Sequence, residues 1–524
     1  MHKLAALDAG FLYSESARTP QHIASVQILE LPEGVGETGF IAELKKLAMQ
    51  RIHLIPYFTN KLQTVPFNLD HPIWVRDEKF DIDNHILHAE VPAPGGRAEF
   101  EATIARLHSI PMDRSRPLWE MWVLTGLEGG RIAYYNRSHH SCLDGVSGQA
   151  AIQAFMDPTP EVQPVPPPPA DFETARRTQN PASLLAGAFE NFLKFQIRQA
   201  SRAMTHAETA WRLAQRGFDP AKGLGAAAET APRTRFNRSV YASRTYATGE
   251  LPLAEVKSIG KRTGTTVNDV FLAICSGGLR RYLERTGELP DASLIAGCPV
   301  SLRRPGDKSL NNQVSMMLVS FASNEADPVK RLLEIARSSG AAKGVISDFA
   351  PSYDSDVAIP GLPSLLSLGM QAAERANLAD AEWWRMPCNV VVSNVPGPRQ
   401  QLYSLGARVL THYPVSIPAH GQGLNITVQS YQQQLFFGIT ACRRAVPDAD
   451  ALRDDMLAAF MELASLVLRE TSAPEVSVAP VAIAKLGAEA RAGAAAAAGR
   501  TSQKATAPAA GKEAEVREHQ DKAA

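Results

Sequence analysis

The sequence predicts a mixed α/β protein made of two halves, each with its own sheet. Stretches rich in β-branched and aromatic residues alternate with segments whose apolar residues recur at helical spacing, and this mixture occurs twice. The proline-rich segment Asp157–Phe172 separates the two occurrences, which share no literal repeat. A chain of 524 residues is long enough for roughly two or three domains, so two hydrophobic cores are expected.

The first half, residues 1–156, contains both kinds of element. β-branched and aromatic residues predict strands at His22–Leu31 and Gly130–Ser138. Apolar residues on one face predict a helix at Gly39–Ile52, namely Ile41, Leu44, Leu47 and Ala48. We therefore expect a helix and antiparallel strands to share one domain.

Residues 157–239 are expected to connect the halves. The proline density of Asp157–Phe172 excludes regular helix and ladder pairing and favours an extended, semi-rigid spacer. A long amphipathic helix is predicted at Pro181–Gly217, with apolar residues at Leu185, Phe189, Phe192, Leu193 and Ile197 and basic residues at Lys194, Arg198 and Arg202. Such a helix either packs on a domain as a connector or contacts a membrane surface.

The second half, residues 240–470, repeats the mixed pattern. Strands are predicted at Ser239–Leu251, Ala292–Leu302, Cys388–Val395, Gly423–Tyr431 and Gln434–Cys442. Helices are predicted at Val267–Gly287 and Asp448–Leu468. Residues 471–524 lose aromatic residues and become alanine-rich and charged, which predicts a disordered tail.

Composition indicates a globular protein that does not bind nucleic acid. Apolar residues make up 45% of the chain, and 54 basic side chains balance 54 acidic ones, so no basic field attracts nucleic acid. The five cysteines are odd in number, widely spaced and never form C-x-x-C, which argues against disulfides and a structural zinc site. The N-terminus lacks a leader pattern, and no apolar run reaches about 18 residues, so an intracellular protein without a spanning helix is expected.

The stretch "HHSCLDG", His139–Gly145, carries the clearest chemistry. It follows a predicted strand and precedes a helix predicted to begin near Asp144. An imidazole held at a strand end can face a cleft with a pKa near its ordinary value, which suits a general base at neutral pH. The chain has no G-x-S-x-G, Walker A or strand-linked G-x-G-x-x-G pattern. A histidine base without an evident serine or cysteine nucleophile favours direct transfer of a group between two bound substrates.

Other interpretations of this stretch stay open. Metal ligation would need further ligands, which the neighbouring sequence does not supply. Asp144 can be a helix N-cap, and Cys142 lacks neighbours that would lower the pKa of its thiol. Because adjacent strand residues point to opposite sides, His139 and His140 are not expected to share one task, and one of them can be structural.

Several motifs together resemble a known family. H-x-x-x-D-G at His140–Gly145 is similar to the signature of the CoA-dependent acyltransferase superfamily, which includes chloramphenicol acetyltransferase, plant alcohol acyltransferases and peptide condensation domains. The doubled histidine occurs with "LDAGFLYSE" (Leu7–Glu15), "PLWE" (Pro117–Glu120), "VNDVFLA" (Val267–Ala273) and "SNVPGP" (Ser393–Pro398). In this order, from about Leu4 to Leu468, they resemble the bacterial wax ester synthase/diacylglycerol acyltransferase family.

The resemblance implies a fold and a reaction. It implies two chloramphenicol-acetyltransferase-like domains with a tunnel between them, acyl-CoA as co-substrate, and no tightly bound cofactor. The acceptor would be diacylglycerol or a fatty alcohol, which leaves acceptor preference and acyl chain length open. His140 corresponds to the family's base, and His139 to a companion with a less defined role. Because these acceptors are lipids, peripheral contact with a membrane or lipid droplet is expected, through the predicted helix at Pro181–Gly217 or through Ile359–Ala373.

Further residues are candidates for the site. Asn268, at a predicted helix start, can stabilise an oxyanion together with the positive helix end. The alternative is a simple helix start, capped by Thr265 or Thr266, with Asp269 favouring the dipole. Asp144 is counted with the catalytic candidates but is expected to fix the loop rather than touch substrate, and Gly145 gives the backbone room there. Gly145 and Asp269 are candidates for substrate binding. Trp119 either packs under the site or lines the acyl tunnel and contacts substrate.

Three rival functions are considered. A condensation-type module shares H-x-x-x-D-G, but no carrier domain follows, and the plant-type D-F-G-W-G motif is absent. A non-catalytic lipid-binding member would be expected to lose motif residues, which are intact here. A metal-dependent hydrolase would lose activity on chelation.

Overall fold

The structure is a computed structural model. It describes residues 3–142, 148, 155–170, 172, 177–218, 226, 229–303, 312–349 and 361–469. The predicted helix after Asp144 and the predicted tail at 471–524 lie outside the described residues, apart from Gly148 and the last residues before position 157.

Helices and strands alternate in both halves of the chain. The elements up to the connecting segment are α1 (Ala6–Ser14), β1 (His22–Glu30), α2 (Glu37–Arg51), β2 (Asn60–Gln63), β3 (Ile73–Arg76), β4 (Ile86–Glu90), α3 (Arg97–His108), β5 (Trp119–Leu127), β6 (Arg131–His139) and α4 (Pro181–Phe218). The strands predicted at His22–Leu31 and Gly130–Ser138 and the two helices predicted in this part are thus confirmed.

The remaining elements confirm the strands and helices predicted for the second half. They are β7 (Arg244–Pro252), α5 (Leu253–Thr263), α6 (Val267–Arg285), β8 (Ile295–Ser301), β9 (Val314–Ser320), α7 (Pro328–Phe349), α8 (Leu362–Arg375), β10 (Val390–Val395), β11 (Tyr403–Ser404), β12 (Ala407–Val409), β13 (Tyr413–Val415), β14 (Leu424–Tyr431), β15 (Gln434–Cys442) and α9 (Ala449–Leu468).

The first sheet positions the doubled histidine at the end of a buried strand. Its strand order is β11-β12-β1-β6-β5-β4, with β13 also paired to β1. β6 lies between β1 and β5, both antiparallel to it, and His139 is opposite His22. The apolar side chains of this strand, such as Ile132 and Tyr134, are fully buried in the first hydrophobic core.

The second sheet has its own core. Its strand order is β7-β15-β14-β10-β8-β9, in which β10 runs parallel to both β14 and β8. A strand between two parallel neighbours is expected to be apolar on both faces. In β10, Val390, Val391 and Val392 are accordingly all buried. Helices α6 and α9 pack together on this sheet. The expected mixed α/β architecture with two sheets is confirmed.

Residues of the second half also complete the first sheet, which the sequence did not predict. We call Tyr403–Val415 the crossing segment. Val409 pairs with Leu29 of β1 through β12, and Val415 pairs with Ala24 through β13. The carbonyl oxygen of Pro414 in turn accepts a hydrogen bond from Tyr246 Oη of the second half at 3.0 Å. The crossing segment therefore ties both sheets together, while the domain limits inferred at residues 156, 239 and 470 stay predictions.

The proline-rich segment is irregular, as predicted, but it is also anchored. Residues 157–170 contain no helix and only a single β-bridge, between Asp157 and Tyr403. The buried carboxylate of Asp157 accepts hydrogen bonds from Arg51 Nη2 at 2.8 and 3.1 Å. Because an isolated buried charge is costly, this pair holds the start of the segment against α2 and the crossing segment.

Replacing Gly438 by Ala should weaken the contact between the crossing segment and β15. A Cβ at Gly438 would lie 1.9 Å from the carbonyl oxygen of Pro414, so the two backbones would have to separate. We expect a loss of about 1–3 kcal/mol in the free energy of unfolding, measured by urea denaturation. Gly340→Ala on α7, where a Cβ meets nothing within 4 Å, should be neutral or stabilising. Equal stabilities of the two variants would contradict the prediction.

Candidate active site

A cavity of about 630 Å³ lies between the two sheets. Both halves contribute to its wall, from β1, β5 and β6 on one side and from β8, β9, β10 and β14 on the other. Its lining contains His140 together with Leu7 and Phe11 of α1. An apolar cavity with a few convergent polar groups is the default place for a binding site.

His140 lies just after the end of β6 and faces this cavity. Its backbone N–H donates to the carbonyl oxygen of Gln21 at 2.8 Å, and its own carbonyl oxygen accepts from Asn312 Nδ2 at 2.7 Å. Its imidazole stacks on the ring of Phe11, with the ring centroids 4.0 Å apart and the planes 4° from parallel. The position predicted for a general base, at a strand end and facing a cleft, is thus occupied by His140.

His139 points away from the cavity and is completely buried. Its Nδ1 accepts a hydrogen bond from the backbone N–H of Ser141 at 3.1 Å, so the proton of the neutral imidazole is assigned to Nε2. That nitrogen lies 3.4 Å from Glu15 Oε1. Burial lowers the pKa of His139, against the opposing effect of the Glu15 carboxylate. His139 is therefore neutral at neutral pH, with Nε2 directed towards the Glu15 carboxylate.

Glu15 is held ionised by its neighbours. Burial alone would raise the pKa of its carboxyl, but the nearby His139 imidazole, the Arg114 guanidinium and the backbone N–H of Gln21 together bring this pKa down to about 2. Arg114 Nε donates to Glu15 Oε2 at 2.7 Å, and the backbone N–H of Gln21 donates to Oε1 at 3.1 Å. Glu15 thus joins the end of α1 to the loop before β1 and to His139.

Asp144 and Gly145 lie outside the described residues. Their assignment to the loop, and the N-cap alternative for Asp144, therefore stay predictions.

The start of α6 is capped by Thr266. Thr266 Oγ1 accepts from the backbone N–H of Asp269 at 3.2 Å, while Asp269 Oδ2 accepts from the backbone N–H and the hydroxyl of Thr266 at 3.0 and 2.7 Å. The predicted cap is confirmed, with Thr266 rather than Thr265 in that position. A substrate contact for Asp269, which is buried in this cap, stays a prediction.

Asn268 reaches the cavity through a neighbour. It does not itself line the cavity, but its Oδ1 accepts from Asn394 Nδ2 at 3.3 Å, and Asn394 lines the cavity at the end of β10. Asn394 belongs to "SNVPGP", so the structure brings this motif next to "VNDVFLA" across the second sheet.

Trp119 is both packed and on the cavity wall. Its ring stacks between Phe58, at 4.3 Å, and His85, at 4.7 Å, and its Nε1 donates to the carbonyl oxygen of Phe58 at 2.9 Å. It also lines the cavity. Trp119 therefore both packs against its neighbours and lines the cavity, the two alternatives that the sequence left open. Its contact with substrate stays a prediction.

A buried polar network, which reaches the cavity through Asn136 and Gln429, was not predicted from the sequence. Asn136 Nδ2 donates to Gln27 Oε1 at 2.7 Å, and Gln27 Nε2 lies 3.1 Å from His412 Nε2. Gln429 of β14 reaches the same imidazole at 3.5 Å, and burial lowers the pKa of His412 to about 4. A two-residue period places Asn136 on the same face of β6 as His140, so this residue was discoverable, whereas His412 arrives only through the crossing segment.

The remaining cysteine and metal alternatives receive no support. All five cysteines are buried and free, and burial raises the pKa of the Cys142 thiol. Within the described ranges, no three metal-ligating side chains form a group.

The arrangement of two sheets around a shared cavity recurs in solved structures. A wax ester synthase/diacylglycerol acyltransferase from Marinobacter aquaeolei matches with a TM-score of 0.62 and 26% identity, covering 88% of this chain and 99% of that one. The starter condensation domain of rhizomide synthetase matches with a TM-score of 0.52 and 16% identity, over 90% and 95% of the two chains. This architecture, with a histidine at the strand end facing the cavity, defines the CoA-dependent acyltransferase class.

Sequence comparison narrows the class to a family. The wax ester synthase/diacylglycerol acyltransferase catalytic domain matches residues 4–271, and the C-terminal domain of the same family matches residues 310–464. The O-acyltransferase WSD of Acinetobacter baylyi is 33% identical over 454 residues, covering 85% of this chain and 93% of that protein. A Mycobacterium tuberculosis protein named for diacylglycerol O-acyltransferase activity is also 33% identical, over 88% of this chain and 90% of its own length. This chain belongs to the wax ester synthase/diacylglycerol acyltransferase family, and the resemblance carried by its motifs is confirmed.

Glu15→Gln should lower stability in a pH-dependent way. The pKa of Glu15 is about 2 in the folded protein against an ordinary 4.5, so its ionised form stabilises the fold above pH 4.5, and this contribution is lost as the pH falls towards 2. At pH 7 we expect the variant to lose about 2–3 kcal/mol of unfolding free energy, measured in urea. The difference should shrink as the pH approaches 3.

Glu30→Gln provides the control. Glu30 forms an exposed ion pair with Arg408, so its loss should cost about 1 kcal/mol or less. A stability difference for Glu15→Gln that stays constant between pH 7 and pH 3 would contradict the assigned pKa.

Proposed function

We propose that this chain transfers a long-chain acyl group from acyl-CoA to the free hydroxyl of diacylglycerol, and also to fatty alcohols. The observation that carries the proposal is the position of His140, on the wall of a cavity that both halves build. The family assignment agrees with an O-acyltransferase. The His140 imidazole faces the cavity, in which two substrates can meet.

The proposed mechanism uses His140 as the only proton carrier. Its imidazole removes the proton from the acceptor hydroxyl as that oxygen attacks the thioester carbonyl carbon. The tetrahedral intermediate then collapses, the carbon–sulfur bond breaks, and the imidazolium returns the proton to the CoA thiolate. His139, buried and bonded towards Glu15, positions the strand end and takes no part in proton transfer.

Charge on the carbonyl oxygen needs a donor in the cavity. Asn394 lines the cavity and is hydrogen bonded to Asn268 at the start of α6. We assign oxyanion stabilisation to this asparagine pair, with Asn394 facing the cavity and Asn268 orienting it beside the positive end of α6.

The cavity offers different surfaces to the parts of the substrates. Apolar side chains suited to an acyl chain lie on the first-half side, including Phe58, Trp119, Met121, Phe155 and Met156. Polar side chains come from both sheets, namely Ser25 and Asn136 of the first and Asn425, Thr427 and Gln429 of the second. A lining with both apolar and polar side chains supports one apolar chain and one polar ester or amide group bound at the same time.

A lipid surface is the proposed source of the acceptor. In α8 the only buried residue is Pro363, while Leu365 and Leu368 are 69% and 64% exposed. Ser364 of α8 contacts the carbonyl oxygen of Phe67, whose ring is 83% exposed. We call Phe67, Leu365 and Leu368 the apolar face. Because α8 packs on α1, which lines the cavity, this face lies beside the site.

The long helix α4 extends the same surface. It packs near Phe67 and exposes Phe189, Ile197 and Trp211. Lys194 on this helix is also exposed and forms an ion pair with Glu190, so charged groups lie beside the exposed apolar ones, as in helices that bind at a lipid surface. Among the described helices, none is long and apolar enough to cross a membrane. We therefore propose peripheral contact with a membrane or lipid droplet.

His140→Ala should abolish acyl transfer while leaving the fold intact. Removal of a general base costs about 10²–10⁴ in rate. The assay uses labelled palmitoyl-CoA with dipalmitoylglycerol, hexadecanol or an amine as acceptor, followed by thin-layer chromatography. His53→Ala, outside the cavity lining, is the control and should retain turnover.

Wild-type turnover in His140→Ala would overturn the base assignment. Transfer to the amine alone would favour a condensation-type acceptor. Lipid binding by the wild type without any transfer would favour a non-catalytic member.

Asn394→Ala and Asn268→Ala should both lower kcat with little effect on KM for acyl-CoA. The expected loss is about 10–10³-fold for Asn394 and smaller for Asn268, because Asn268 acts through its neighbour. Thr266→Ala, which removes the cap of α6 alone, should lower the melting temperature with unchanged turnover per folded molecule. A lowered melting temperature and unchanged kcat in Asn268→Ala would leave Asn268 with a structural role only.

Charges on the apolar face should release the protein from lipid. The double variant Leu365→Glu, Leu368→Glu should lose most co-sedimentation with anionic vesicles at low salt, because its carboxylates oppose insertion and repel the lipid charge. Met461→Glu, at an equally exposed apolar residue of α9, should bind as the wild type does. Equal sedimentation of both variants would contradict contact through this face.

A further inference from the structure

The first helix presents two side chains to the end of β6. Asp8 and Phe11 are three residues apart in α1, so they lie on one face of the helix. Phe11 stacks on the His140 ring with the centroids 4.0 Å apart and the planes 4° from parallel. Asp8 reaches the backbone of the same histidine through Asn312.

Asn312 is the bridge between Asp8 and His140. Its Nδ2 donates to Asp8 Oδ1 at 2.6 Å and to the carbonyl oxygen of His140 at 2.7 Å, while its backbone N–H donates to Asp8 Oδ1 at 2.9 Å. Asp8 and Asn312 are 3% and 1% exposed. Short bonds to a buried carboxylate are among the strong ones, so this bridge is expected to be rigid.

These contacts restrain different parts of His140. The bonds to Gln21 and Asn312 hold its backbone on both sides, which fixes where the side chain starts. The torsion about the Cβ–Cγ bond of a histidine is otherwise broad, and the parallel Phe11 ring restricts it to one plane. Together they orient the imidazole towards the cavity.

We infer that Asp8, Phe11 and Asn312 are positioning residues for the general base, an inference that rests on the proposed function. None of the three transfers a proton. They hold the His140 imidazole in the orientation from which it reaches the acceptor hydroxyl. A misplacement of about 1 Å can cost about 10²-fold in rate, so such restraint has a large kinetic effect.

The inference also links the base to the association of the two halves. Asp8 and His140 belong to the first half, whereas Asn312 precedes β9 in the second. The carbonyl oxygen of His140 therefore gains its bond from Asn312 only when the halves are docked. The base is held in its working position by the same contact that closes the cavity.

Phe11 also lines the cavity, so its two possible roles must be separated. As a wall residue it would affect acyl-CoA binding, and its replacement would raise KM. As a positioning residue it would affect only the chemical step, and its replacement would lower kcat. Phe155, another wall residue that stacks on Phe58 rather than on His140, serves as the matched comparison.

The experiment measures steady-state kinetics of full-length variants at a temperature well below their melting points. Phe11→Leu keeps apolar volume but loses the flat ring, and we expect kcat to fall at least about tenfold with KM for palmitoyl-CoA within about twofold. Phe11→Tyr, which keeps the ring, should restore most of kcat. Phe155→Leu should change KM or chain-length preference instead.

Asn312 and Asp8 are tested in the same assay. Asn312→Ala and Asp8→Ala should lower kcat at least about tenfold, and Asp8→Asn, which keeps an oxygen acceptor for Asn312, should lose less. Asn389→Ala removes a buried amide that bonds to Pro232 and Asn237 of the connecting residues and to Ile295 of β8, away from His140. It should lower the melting temperature while turnover per folded molecule stays unchanged.

The outcomes separate the inference from the proposed function. If His140→Ala is inactive but Phe11→Leu and Asn312→Ala keep wild-type kcat, the positioning role is wrong and the base assignment stands. If Phe11→Leu and Phe155→Leu both change only KM, Phe11 is a wall residue and the inference fails. Wild-type turnover in His140→Ala would remove the proposed function itself.

Discussion

The site depends on the pairing of the crossing segment with the first sheet. Residues 403–415 leave the second half and add to β1, so that each sheet contains or contacts backbone from both halves. Backbone N–H and C=O groups must be paired when buried, and these pairs form only in one relative position of the sheets. The width of the cavity and the meeting of residues from both halves follow from that position.

The two adjacent histidines illustrate how a strand end separates neighbouring side chains. His139 continues the alternation of β6 into the buried side, where it contacts Glu15 and where burial lowers its pKa. His140 emerges on the other side, against Phe11 and the cavity. The same residue type is thus a buried, neutral side chain at one position and, in the proposed mechanism, a base at the next.

Asn136 and Gln429 give the cavity wall a polar part that a simple apolar tunnel would lack. Gln27, which is buried, bonds to both Asn136 and His412, so the cost of burying these polar groups is largely offset within the protein. A side-chain amide that donates one hydrogen bond has a second N–H and a carbonyl oxygen with which it can bind a ligand. Apolar side chains for an acyl chain, together with polar ones for an ester or amide, agree with a family of acyltransferases.

Most of the local structure follows from the sequence, because strands and helices depend on residue spacing within short windows. The pattern of β6, the start of α6 at Thr266 and the position of His140 at a strand end were all predictable in this way, and the ordered motifs identified the family.

The contacts between residues far apart in the chain were not predictable from the sequence. Asn312 is 304 residues from Asp8 and 172 residues from His140, yet its side-chain amide bonds to both. Likewise, Asn268 is connected to the cavity only through Asn394, and the tasks of His139 and Trp119 depend on what each side chain packs against. The sequence by itself determined the elements, the family and the histidine that we propose as the base. Only the tertiary structure decided which side chains contact that histidine, since those contacts join residues of both halves.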